Sequence, residues 1–109
     1  MSPLAGPAEP DEPRRADGAV AHEARCTIVN SRGLHARAAA KFVRLAATFD
    51  ALVLVERDGA KVPATSILGL MMLAASRGAE LEMTATGAEA EAALTALVAL
   101  VEQGFDETD

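Results

Sequence analysis

Arg57-Asp58-Gly59 separates two short apolar runs, ALVLVE at 51–56 and AKVPA at 60–64. An Asp-Gly pair between strand-like segments is the signal of a two-residue hairpin. The primed turns that match strand twist put positive φ at the central residues, which Gly adopts freely and Asp tolerates. A hairpin commits the chain to antiparallel pairing. Pro63 cannot donate to a strand ladder, so the second strand is short or lies at an edge.

The flanking segments extend this reading. RCTIVN, from Arg25, is β-branched and predicts a first strand. HARAAAKFVRLAATF (35–49) places Ala39, Phe42, Val43 and Ala46 at helical spacing, with Arg37, Lys41, Arg44 and Thr48 on the opposite, solvated stripe. TSILGLMMLAASRG (65–78) predicts a short apolar helix after Ser66 that ends near Gly78. AELEMTATG alternates Leu81, Met83 and Ala85 with polar residues, as a half-buried strand does. AEAEAALTALVALVEQGF predicts a long helix with Ala93, Leu97, Leu100 and Val101 inward, stopped by Gly104. The order β-α-β-β-α-β-α predicts an α+β fold: a two-layer open-faced sandwich, with three helices on one face of a four-stranded antiparallel sheet.

Residues 1–24 differ from the rest. They hold four of the five prolines and five acidic residues, with little that is large and apolar, which predicts a disordered N-terminal extension ahead of one domain at 25–107. His22 reads as a tail histidine without a role. The 109 residues suffice for a single core, and with no Trp, no Tyr and three Phe that core is aliphatic. A formal charge of −6 argues against nucleic-acid binding. Cys26 stands alone, so neither an internal disulfide nor a cysteine metal cage is expected. With no signal peptide or membrane span legible, the expected location is the cytoplasm.

Against that acidic background, SRGLHARAAAKFVR (31–44) gathers Arg32, Arg37, Lys41 and Arg44 around His35 and contains no acid. A helix start leaves backbone N–H groups unpaired and carries about half a positive charge, so it receives anions. A phosphoryl group on His35 would find those donors and Arg37 beside it, and Gly33 allows the tight bend that presents the ring. A neutral imidazole nitrogen is nucleophilic near neutral pH, and its N–P bond is labile. A plain cap-region histidine beside a solvated cationic face is the competing reading. No second ligand sits at metal spacing from it.

GLHARAAAKFV, taken with TSILGLMMLAASRGAELEMTATG at its distance, closely resembles HPr, the histidine-containing phosphocarrier family of the phosphoenolpyruvate-dependent phosphotransferase system. The resemblance runs from about residue 25 to residue 107. It implies an HPr-like fold and phosphorylation of His35 on Nδ1 by enzyme I, with Arg37 as the site arginine. It also implies onward transfer to an EIIA-type acceptor by a stoichiometric carrier, not a turnover catalyst, that needs no cofactor and works as a monomer. Ser66 falls at the family's regulatory serine, the target of HPr kinase/phosphorylase, although helix capping alone would explain a serine there. Ile67, Leu68, Leu70, Met71 and Met72 make the second helix apolar on nearly every side. Its exposed part, rimmed by Arg32, Lys41 and Arg44, is expected to form the docking surface. The ending EQGFDE and the phrase LMMLAASRG look more like the nitrogen-type and regulatory branch. Ala38 stands where the family usually has proline, which predicts a less rigid helix entrance and altered transfer rates. The rival readings are a small-molecule-sensing α+β domain, a small RNA-binding domain, and a regulatory module that transfers nothing.

Overall fold

Asp58 and Gly59 both adopt positive φ, 52° and 85°, and turn β2 (Leu52–Arg57) into β3 (Ala60–Pro63). In the computed structural model, which describes residues 20–107, this hairpin is one side of a four-stranded antiparallel sheet. β1 is His22–Thr27 and β4 is Glu80–Thr86, and the strand order is β1-β4-β2-β3. β3 is an edge strand, as Pro63 requires.

Three helices cover one face: α1 (Ala36–Ala46), α2 (Ile67–Met72) and α3 (Ala90–Glu102), followed by a 3-10 turn at Gly104–Asp106. Strand alternation sends Cys26, Val53, Val55, Leu81, Met83 and Ala85 toward them. Phe42 of α1, Leu70 of α2, Leu97 and Val101 of α3, and Phe105 complete a core in which each is fully buried. The other sheet face is open to solvent. Register aligns Arg25, Glu82, Glu56 and Lys61 across it, so two opposed carboxylates are flanked by cations at 3.3 Å (Arg25–Glu82) and 3.9 Å (Lys61–Glu56). Exposed pairs of this kind contribute little to stability.

Several sequence expectations change. The first strand begins at His22, not Arg25, because His22, Glu23 and Ala24 pair with Ala85, Thr84 and Met83. The extension reading therefore fails for residues 20–24, where Val20 forms a bridge and Ala21 is buried ahead of the strand, and residues 1–19 lie outside the described residues. His22 is a strand residue rather than part of a tail. α2 stops at Met72, well before Gly78: Ala74 takes φ 53°, and Arg57 Nη1 donates to the Leu73 carbonyl at 3.0 Å, closing the helix end. Val43 and Leu100 are only half-buried, whereas Ala38, Ala90 and Leu94 join the core.

Candidate functional site

His35 is the N-cap of α1, with extended backbone (φ −77°, ψ 179°) and no side-chain capping bond. Ala39 N donates to His35 O at 2.8 Å, the first bond of the helix. The N–H groups of Ala36, Arg37 and Ala38 thus have no partner within the helix, and no acid occupies the first turn. A proline at 38 would lack one of these donors. Gly33 positions the loop: it adopts φ 68°, and a Cβ there would lie 2.6 Å from the Ala75 carbonyl oxygen.

The imidazole is mostly enclosed, its side chain 18% exposed, and Nε2 meets a carboxylate oxygen of Glu107. The other carboxylate oxygen accepts from Asn30 Nδ2 at 3.0 Å. Asn30 is buried and also donates to the Gly33 carbonyl at 2.9 Å. The hydrogen bond from His35 holds the Glu107 carboxyl below its ordinary range. Burial opposes this, and the Asn30 bond together with the charges of His35 and Arg32 reinforces it. An ionised carboxylate only accepts, so the facing Nε2 carries the proton, and Nδ1 is the ring nitrogen that Glu107 does not engage.

What brings Glu107 here is the turn after α3. Gly104, Phe105 and Asp106 all have positive φ (67°, 57°, 61°), Phe105 is fully buried, and Lys41 Nζ donates to its carbonyl at 2.6 Å. Lys41 is therefore a tether and only half-buried, not a free member of the cationic stripe. Arg32, Arg37 and Arg44 are exposed, and Arg37 and Arg44 form no ion pair among the described residues. Glu107 and Asn30 were not singled out by sequence reasoning. The acid lies 72 residues from His35, and no local pattern couples them.

Beside this loop, Ser66 caps α2 by accepting from Gly69 N at 2.9 Å. Leu70 points into the core, whereas Ile67, Leu68, Met71 and Met72 are exposed, Leu68 and Met72 by 70% and 74%. α2 packs on α1, so this apolar patch and the cationic start of α1 are neighbours. Among the described residues no cluster of His, Cys, Asp and Glu could hold a metal ion, and no helix is long and apolar enough to cross a membrane.

An open-faced α+β sandwich with a histidine presented at the first helix start defines a class of protein, and the comparisons name it. The family model described as "PTS HPr component phosphorylation site" matches residues 22–103, beginning where β1 begins. The chain belongs to the HPr family of phosphotransferase-system phosphocarriers. It is 45% identical over 85 residues to phosphocarrier protein NPr of Shewanella violacea, covering 78% of this chain and 93% of the relative. It is 44% identical over 81 residues to phosphocarrier protein HPr of Cupriavidus necator, covering 74% and 91%. The two branches are matched almost equally. Among solved structures, HPr-C-His from Thermoanaerobacter tengcongensis superposes with a TM-score of 0.77 at 43% identity, covering 81% of this chain and 99% of that one. HPr from Bacillus anthracis gives 0.72 at 42%, covering 74% and 96%.

Proposed function

We propose that His35 accepts a phosphoryl group on Nδ1 from phosphorylated enzyme I and passes it to an EIIA-type acceptor. The observation that carries this reading is a histidine held through Nε2, leaving Nδ1 as the ring nitrogen Glu107 does not engage, at a helix start whose first three N–H groups lack helical partners. The Nδ1 lone pair attacks phosphorus while the bond to the donor breaks with its electron pair. The helix N–H groups and Arg37 receive the phosphoryl oxygens. On transfer the N–P bond breaks and its pair returns to the ring, so the protein is a carrier without turnover chemistry of its own. Ala38 supports the anion with one more donor than proline would offer.

Docking uses the exposed apolar residues Ile67, Leu68 and Met71 with Arg32, Arg37 and Arg44 as a cationic rim that attracts acidic partners. Lys41 contributes by holding the Phe105 carbonyl rather than by meeting a partner. Ser66 is the regulatory serine of this reading: a phosphate added by an HPr kinase/phosphorylase would place negative charge beside the docking patch. The carrier works as a cytoplasmic monomer, in a regulatory branch of the phosphotransferase system.

The test is incubation with phosphoenolpyruvate and enzyme I, followed by intact mass under alkaline conditions. One added phosphoryl group, acid-labile and missing from His35→Ala, is expected. No addition to the folded protein, with enzyme I active on another carrier, overturns the reading in favour of a module that transfers nothing.

A further inference from the structure

We propose that Glu107, seated by Asn30, is a positioning residue for His35: it fixes the ring with Nε2–H toward the carboxylate and offsets the positive charge the ring acquires on phosphorylation. This rests on the carrier reading above.

Both carboxylate oxygens are in use, one on His35 Nε2 and one on Asn30 Nδ2. The Asn30 amide orientation is forced, because its NH2 faces two acceptors, the Glu107 carboxylate and the Gly33 carbonyl. Its Oδ1 is buried without a hydrogen-bond partner among the described residues, which is destabilising on its own. An apolar residue would avoid that cost but could not seat Glu107. Lys41 and the buried Phe105 ring anchor the turn that delivers the carboxylate.

The electron count explains why a carboxylate belongs there. As Nδ1 bonds phosphorus and the donor bond breaks, the proton stays on Nε2, and the ring goes from neutral to cationic. Glu107 faces that charge at close range in a largely enclosed site, where such pairing is strong. In the onward step the ring returns to neutral, so the same carboxylate retards release. Glu107 favours the phosphorylated state over its loss.

The experiment compares the full chain with Glu107→Gln and Glu107→Ala. An amide has one acceptor oxygen where the carboxylate has two, so Gln must give up His35 or Asn30. Ring 15N shifts of His35, recorded without phosphorylation, are expected to show a single Nε2–H tautomer in the parent and a mixed or averaged ring in Glu107→Ala. Phosphoryl acceptance from phosphorylated enzyme I is expected to slow by about tenfold, the size of effect that partners orienting a histidine have. Hydrolysis of the phosphorylated form is expected to quicken. Unchanged ring shifts in folded Glu107→Ala overturn the proposal, as does unchanged acceptance. If the parent takes up no phosphoryl group, the carrier reading fails, and the ring shifts alone still decide whether Glu107 positions His35.

Discussion

The backbone N–H of Leu34 donates to the carbonyl of Ala75 at 2.9 Å, tying the loop that presents His35 to the loop that follows α2. The His35 loop and the exposed apolar helix are thus held as one surface. Gly33 is what lets them approach so closely.

Gly33→Ala would force a Cβ to 2.6 Å from Ala75 O and 3.0 Å from Ser76 Cα, at a φ of 68° that L side chains rarely adopt. Left-handed strain of roughly 1–2 kcal/mol adds to overpacking of about 1–3 kcal/mol. Urea denaturation is expected to show a loss of about 2–5 kcal/mol, and a loss below about half a kcal/mol would contradict the close approach.

Ala74 is the reverse case. It holds φ 53° in an exposed position immediately after α2. Ala74→Gly relieves about 1–2 kcal/mol of backbone strain but adds about 0.4–1 kcal/mol of unfolded-state freedom. A net gain of about 0.5–1 kcal/mol is expected in the same assay, and destabilisation would refute the strain.

Ser66→Ala removes the acceptor for Gly69 N and exposes an unpaired donor at the start of a six-residue helix. The expected cost is about 1 kcal/mol. Amide exchange measured across α2 should rise, while that of α3 stays unchanged.

Acid should act through Glu107. Its carboxyl is held below the ordinary value of 4.5, so the native state binds its proton less readily than the unfolded chain does. That contribution is fully present above 4.5 and is lost as pH falls through the lower native-state value. The stability difference between the parent and Glu107→Gln should be largest near neutral pH and shrink steadily on acidification. A pH-independent difference would show that the charge plays no part.

The hairpin, the edge placement of β3 and the alternation of β4 were legible because each is a local pattern: Asp58-Gly59, Pro63, and Leu81-Met83-Ala85. That part of α2 stays exposed also follows from a helix too short to be buried all round; that Leu70 is the residue turned inward is seen only in the structure. The start of β1 was not legible, since His22-Glu23-Ala24 has no strand character and is held by partners some 60 residues onward. The same limit hid Glu107 and Asn30. Lys41 looked like a solvated cation by helical spacing, and only the return of Phe105 converts it into a tether. The placement of His35 and Arg37 at the start of α1 was within reach because that helix start is contiguous in sequence.

Among the described residues β1 is paired along one side only, and its ladder to β4 continues through Ile28, which exchanges hydrogen bonds with Gly78 and Ala79 at 2.8 and 2.9 Å. Two residues later the chain reaches Asn30. A fluctuation that peels this edge strand would carry Asn30 away from Gly33 and Glu107, disassembling the histidine's surroundings from behind. The pairing of β1 with β4 therefore bounds the persistence of the assembled site: His35 keeps this geometry only while the strand that leads into it stays paired.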